Sequence, residues 1–402
     1  MKRLLALAAL LASATQAADL ELLHAWTSGS EAAMVAELRA AAARGGVALK
    51  TTAVAGSSNA STLLKARFLS GHPPTLAQTD KPLRIWAEAV PLADLGAGVD
   101  AQFAALPQAI AAELRSDSRP AAVPLNVHRL NTLWSNLRLL RAQGLAVPRD
   151  WDEFHRSAAQ LRAAGLLPLA IGSSAGQKLS LFVAVVLGRA GRDFFERALI
   201  QADPGLLHGA QMRALLQEYR SLKAYTDAGQ VSRDWAGATA LLLQGRAVFQ
   251  FTGDWANGEF QKAGWRPGLD YDCTAAPGNG GLHYFEFDRI VFFGDPVRLG
   301  AQQRLANVLL APEVSTTLAR TKGGIPVRRD ASLDGFNACA QRSAADFRAG
   351  EARGDLVLAL SARLGESAYG GMKDALSAYW ASERMTAVQA QTRLAQALRQ
   401  RD

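Results

Sequence analysis

Cysteine is nearly absent from this 402-residue chain, which carries only Cys273 and Cys339. They are too far apart for a closely spaced metal-binding or redox pair. The six histidines (His24, His72, His128, His155, His208 and His283) fall at no metal-ligand spacing, so no zinc or other metal site is expected. Neither Lys81 nor Lys322 follows the glycine spacing of a P-loop, and no cofactor is indicated. The net charge is +8, but its arginines are scattered among Ala and Leu without a basic block interleaved with aromatics. Nucleic acid is therefore not an expected partner. Beyond the N-terminal stretch the longest apolar run, Leu181 to Leu187, is too short to span a bilayer.

What the chain does have begins with MKRLLALAALLASATQA: a basic start at Lys2 and Arg3, an Ala/Leu core and a small-residue end at Ala17. This pattern predicts a cleaved secretory signal, residues 1–17, and a mature protein in the periplasm. No Cys stands near the cleavage point to carry a lipid. The mature length exceeds what one hydrophobic core serves, so two lobes are expected. In an oxidising compartment two cysteines most simply form one disulfide, the alternative being two separate buried thiols. Such a bond, closing a 66-residue separation, would contribute about 4 kcal/mol by the chain-entropy model.

The chain is organised around Leu20 to Gly46. Leu20, Leu22 and Leu23 read as a short strand, followed by Trp26 and the polar turn Thr27-Ser28-Gly29-Ser30. Ser28 or Ser30 can cap the helix that follows, with Glu31 in its first turn and Gly45-Gly46 at its end. Strand, turn and helix thus place an indole and a carboxylate at the carboxyl end of the strand, where open α/β sheets bind ligands. The pair suits a sugar, whose C–H face lies on Trp while its hydroxyls donate to the carboxylate. The same residues also fit a core Trp and a Glu complementing the helix dipole.

Further on, Val47 to Val54 and Thr75 to Thr79 read as strands, with a helix near Ser61 to Ser70 between them. Alternating β and α with short connections predicts a mostly parallel sheet. It would bring the strand ends near Trp26, Gly56 and Gln78 to one edge. Ala121 to Trp134 is extended and leads to a helix over Ser135 to Gln143; Asp150 and Glu153 form a capping-box pattern. After the strand Leu167 to Ile171 the chain turns mainly helical, with strands again at Ala247 to Phe251 and Tyr284 to Phe293. Thr386 caps a final amphipathic helix.

One enzyme motif is present. Gly172-Ser173-Ser174-Ala175-Gly176 satisfies G-x-S-x-G between a strand and a helix. The histidines that follow, His208 and His283, have no distinctive setting, and no upstream glycine cluster suggests an oxyanion hole. A secreted serine hydrolase stands as the alternative, beside a Ser/Gly loop that merely faces a cleft. A binder of a non-sugar solute is a third option, although a polyamine would demand more carboxylates than Glu31, Asp80 and Asp288 supply. A glycosidase turns on a carboxylate separation that sequence does not give.

Several long stretches, spread in order over the chain, resemble one family. They are AWTSGSEA (Ala25 to Ala32), LLKARFLSGHPP (Leu63 to Pro74), AQT (Ala77 to Thr79), PLNVHRLNTLW (Pro124 to Trp134), PRDWDEF (Pro148 to Phe154), GDWANGEF (Gly253 to Phe260) and KGGIPVR (Lys322 to Arg328). Together they resemble the exported solute-binding proteins of bacterial ABC sugar importers, in the glucose-binding branch, where the cysteine pair also matches a disulfide. The resemblance implies a two-lobed α/β periplasmic binding protein fold, type II-like, with the ligand between lobes joined by hinge crossovers. Crossings are expected near Leu125-Asn126, Phe285 to Asp288 and Gly324 to Val327. The N-terminal lobe would take 18–125 plus 288–322, and the C-terminal lobe 126–287 plus 323–402.

By the same resemblance, the protein would be a non-enzymatic monomer that binds a glucose-like monosaccharide and delivers it to inner-membrane permease subunits. A chemoreceptor or sensor would be a further reader of the closed form. Trp26 would stack on the sugar and Glu31 accept from its hydroxyls, with Gln78, Asp80 and Lys81 beside them. Trp255 would close the opposite face; Asp288 and Lys322 would bracket further hydroxyls, and His128 lies near a crossover. Four positions depart from the branch: Ala25 for an indole, Asp80 for a Lys or His, Gly176-Gln177 for Asn-Trp, and LSARL (Leu360 to Leu364) lacking a His, with Arg363 the nearest polar substitute. These changes widen the pocket and open the choice to another aldose, a larger sugar or a substituted one.

Overall fold

The computed structural model describes residues 20–400; the expected leader lies outside the described residues. The first strand, Leu20–His24, lies next to the edge of a six-stranded sheet and pairs in parallel with Leu49–Ala53 and Leu76–Gln78. Its three leucines are fully buried, since helices cover the sheet. One of these is Gly29–Arg44, which turns Met34, Leu38 and Ala42 inward. Ser28 is its cap, in a capping box with Glu31.

The parallel expectation holds for these three strands and fails beyond them. Tyr284–Phe292 runs antiparallel to Leu76–Gln78 and antiparallel to Ala122–Arg129, with a bulge between Asp288 and Arg289. A second, four-stranded sheet takes the order Tyr271–Ala275, Thr132–Asn136, Ala247–Phe251, Leu167–Ala170, with only its last pair parallel. The extended stretch expected over Ala121 to Trp134 is two strands with a turn at Leu130-Asn131. Asn136 sets the helix boundary there: its side chain accepts from Leu139 N, delaying the helix to Leu137–Ala142. Tyr271–Ala275 was not legible as a strand because it lies among short polar and glycine-rich segments.

The apolar interior divides into two large clusters. One runs from Leu20 to Val127 and resumes at Phe285; the other runs from Leu130 to Tyr284 and resumes at Val357. The strands Ala122–Arg129 and Tyr284–Phe292 therefore pass from one cluster to the other, and Val127 also bridges to Ile325. Phe336, Ala340, Ala344 and Phe347 pack in the first cluster, whereas the helices Glu366–Ala381 and Ala387–Leu398 pack in the second. Thr386 caps the last helix, as its sequence predicts. Cys273 and Cys339 are bonded, with Cα atoms 5.8 Å apart. Among the described residues no helix is long and apolar enough to cross a membrane.

Candidate functional site

A cavity of about 600 Å³ opens between the two clusters. Trp26, Glu31, Gln78, Asp80, Gln177, Trp255, Asp288 and Lys322 all line it, so the structure gathers eight of the eleven expected residues into one place. A larger recess of about 940 Å³ at the outer end of the first sheet, by Glu21 and Phe68, holds none of them.

Trp26 is a core residue and also part of the cavity wall. It is 3% exposed and belongs to the first cluster. It stacks on His24 with ring centroids 5.4 Å apart. Burial, aided by the charge of Lys322, drops the His24 imidazole to a pKa of about 4, so it is neutral in this stack. The Trp26 indole N–H reaches Asp288 Oδ1 at 3.4 Å. Opposite, Trp255 meets Trp235 edge-on at 6.1 Å, and its indole N–H is buried without a partner. Gly253 makes the placement of Trp255 possible: a Cβ there would come within 2.3 Å of the indole ring.

Glu31 is half spent on its own turn. Its Oε2 accepts from Thr27 N and Ser28 N, both at 2.9 Å, which leaves Oε1 as the atom open to a ligand. Ser30, the other capping candidate, instead bonds Glu259 through its N and Oγ at 2.8 Å. Gln78 accepts from Ala25 N at 3.0 Å, freeing its amide to donate. Gln177 accepts from Gly172 N while its Nε2 is buried and unpartnered. Thr252 Oγ1 on the same wall is also unpartnered. Buried donors left empty along a cavity fit a polar ligand that accepts from them.

Behind the cavity runs a line of alternating charge. Lys322 is ion-paired to Asp288, His128 Nε2 meets Asp288 Oδ2 at 3.0 Å, and His128 Nδ1 meets Asp254. Burial and Lys322 oppose a charge on His128, but the carboxylates of Asp254 and Asp288 outweigh them and lift its pKa to about 9. Burial would raise the Asp288 pKa; Lys322 and His128 overcome this and hold it well below the usual carboxylate range. Gly323 adopts φ 101° to end the helix Pro312–Lys322. A Cβ on Gly324 would come within 2.8 Å of the His128 ring. Both glycines are thus required for Lys322 to stand where it does.

Three expected residues fall outside the cavity lining. His128 is 1% exposed with both nitrogens taken, so it positions Asp288 and Asp254 and has no free edge for a ligand. Arg363 pairs with Glu196 at 3.0 and 3.1 Å; in the single turn Leu360–Arg363 it is Ser361 and Ala362 that line the cavity. Lys81 lies with its Nζ 5.1 Å from the Tyr369 ring centroid, one layer back. Ser174 lines the cavity, but its hydroxyl accepts from Gln177 N as a helix cap. No hydrogen bond joins Ser174 to an imidazole among the described residues; His283 is fully buried against Ser343.

Sequence reasoning missed Asp234, Trp235, Glu286, Tyr369 and Lys373, all of which line the cavity. Glu286 had a signal: it stands two residues from Asp288 in a strand, and alternate residues share a face. The others lie in helices or at their ends and become neighbours only through tertiary packing.

The pattern of the family described as bacterial extracellular solute-binding protein matches residues 26–284. A probable sugar-binding periplasmic protein of Brucella melitensis is 33% identical over 360 residues, covering 88% of this chain and 85% of that one. One of Mesorhizobium japonicum with the same description is 32% identical over 395 residues, covering 96% and 95%. Among solved structures, the bacterial solute receptor AcbH, described as preferring β-D-galactopyranose, superposes with a TM-score of 0.78 at 16% identity, covering 94% of this chain and 97% of that one. Maltose-bound MalE3 of T. maritima gives 0.73 at 16% identity, covering 94% and 98%. At these identities the likeness is one of fold: the two-lobed periplasmic binding protein architecture.

Proposed function

Because this chain belongs to the family of bacterial extracellular solute-binding proteins, we propose that it binds a sugar in the cavity between its two clusters and delivers it to an ABC importer. The observation that carries this reading is that Trp26, from the first cluster, and Trp255, packed on the second, line one cavity together with Asp288 and Lys322. A ligand touching both sides favours the form in which they approach, and only such differential affinity shifts the population. The hinge falls where Ala122–Arg129 and Tyr284–Phe292 leave one cluster for the other. The protein acts as a monomer in the periplasm, its closed form docking on permease subunits and available to a chemoreceptor.

The ligand carries a glucose-like pyranose. Ala25, Gly176 and Ala362 line the cavity where the glucose-binding branch has larger side chains. About 600 Å³ lies within the roughly 300–1,000 Å³ of pockets that hold drug-sized ligands, and is more than the twelve heavy atoms of one hexose require. The extra room accommodates a substituent or a second ring. Calorimetry with a panel of mono- and disaccharides against wild type and Trp255→Ala tests the reading. Saturable binding weakened by the substitution is expected, and no heat with any sugar would overturn it.

A further inference from the structure

A cationic ligand looks poorly served when only Glu31, Asp80 and Asp288 are counted. The cavity in fact holds five carboxylates, because Asp234 and Glu286 line it too. Against them stand three cationic side chains, Lys322, Lys373 and Arg289. The excess is acidic in a chain whose net charge is +8.

Most of these groups are already engaged. Asp288 is held by Lys322 and His128, Asp234 caps a helix through Gly237 N, and one oxygen of Glu31 closes its own turn. Arg289 lies 4.5 Å over Phe287 and donates to the Glu113 carbonyl. Lys373 and Lys81 share the Tyr369 ring at 4.6 and 5.1 Å. Glu286 is different: among the described residues its carboxylate has no hydrogen-bonded or ion-paired partner, and neither has that of Asp80. Asp80 faces Glu286 from beyond the strand Leu76–Gln78, His128 from the paired strand, Asp288 and Arg289 from its own strand, and Lys322 from the helix end. Tyr284 and Tyr369 complete its charged and titratable surroundings.

Resting on the sugar-site reading, we propose that Glu286, with Asp80, selects a sugar carrying a protonated amine, whose ammonium makes the direct ion pair that Lys322, Lys373 and Arg289 do not make with these two carboxylates. An ammonium brings three donors and a full charge to two carboxylates that have no direct partner among the described residues. The unpartnered donors Gln177 Nε2, Thr252 Oγ1 and Trp255 Nε1 serve the neutral oxygens of the same ligand. The surroundings agree: burial, then the charge of Asp80, push the Glu286 pKa up to about 7, against His128 and Lys322. A cation arriving there expels the proton.

The test is calorimetry on the mature chain at a pH of about 6.5, where amino sugars are charged, in two buffers of different ionisation enthalpy. The probes are glucose and its 2-, 3- and 6-amino-deoxy analogues. At least one amino sugar is expected to bind tenfold or more tighter than glucose, with release of up to one proton, and glucose binding is expected to release none. In Glu286→Gln the ratio of amino to neutral affinity falls toward one. Should that variant misfold, Asp80→Asn and the wild-type proton count decide the matter. Glucose binding as tightly as every amino analogue would overturn the inference and leave the sugar reading standing. A preference without proton release and unchanged in Glu286→Gln would remove Glu286 from it. Binding of no sugar at all would remove both.

Discussion

Glu286 and Asp288 stand two residues apart on one strand, line one cavity, and are shifted in opposite directions from the ordinary carboxylate range. Asp288 is surrounded by Lys322 and His128 and stays ionised well below the ordinary carboxylate range. Glu286, half-buried and facing Asp80, is pushed up to about 7. Two carboxyl groups on the same strand face thus differ because only one of them has cations in hydrogen-bond contact.

The Glu286 shift makes the empty protein's stability fall as pH rises. A carboxyl raised from 4.5 to about 7 on folding binds more protons folded than unfolded. Its contribution is complete below 4.5 and is lost as pH passes through 7. The shift amounts to about 3 kcal/mol. Glu286→Gln, which cannot ionise, should flatten the stability curve between those pH values and raise the melting temperature above pH 7. Thermal unfolding across that range measures it; identical wild-type and variant curves would contradict the assignment.

His128 has the same sign in a higher window. Its pKa is raised from 6.5 to about 9, so its contribution is present below 6.5 and lost as pH rises through 9. Replacing it removes the cation between Asp254 and Asp288, of which Asp288 keeps Lys322 and Asp254 keeps the Arg129 N–H as a near donor. Breaking a buried pair by removing one partner costs about 3–5 kcal/mol. Urea unfolding of His128→Ala at neutral pH should show that loss. The variant should also lack the decline in stability that the wild type shows between 6.5 and 9.

Trp255 is expected to contribute to binding through its face and through its free indole N–H. Loss of aromatic packing and one hydrogen bond, each about 1 kcal/mol, predicts a drop of roughly 10- to 100-fold in sugar affinity for Trp255→Ala. Gly253→Ala offers an independent check, because the added methyl displaces the indole without removing it. Its affinity should fall in the same direction by less. Calorimetry with the tightest-binding sugar compares the two, and full affinity in Gly253→Ala would show that the ring's placement is not what matters.

How much of this was legible in the sequence follows from how local each feature is. The strand–turn–helix unit at Leu20 to Gly46 could be read because its signals lie within one segment: three leucines, a capping Ser, Glu31 in the first turn. That Glu31 turns half its carboxylate back on the turn is not legible there: the two open readings are a sugar-hydroxyl acceptor and a complement to the helix dipole. The antiparallel pairing of Tyr284–Phe292 could not be read, since a buried strand has the same apolar composition whichever way its neighbour runs. Arg363 and His128 were misplaced for a related reason. Proximity in sequence to a cavity segment does not tell which way a single helical turn or a crossing strand points a side chain. Trp235, Tyr369 and Lys373 reach the site from helices far apart in the chain, so only the folded packing reveals them.

The disulfide gives a prediction that separates stability from binding. Cys273 lies on a strand of the second sheet. Cys339 begins a helix whose Ala340, Ala344 and Phe347 pack in the first cluster. The bond, within a small third cluster that holds both cysteines, therefore ties the second sheet to a helix packed in the first cluster across 66 residues of chain, and its loss should cost about 4 kcal/mol if the chain-entropy model holds. Neither cysteine lines the cavity. Cys273→Ser with Cys339→Ser should accordingly unfold at lower temperature while its sugar affinity, measured well below that transition, stays close to wild type. Comparable losses in both would mean that the bond also sets how the two sides of the cavity face each other.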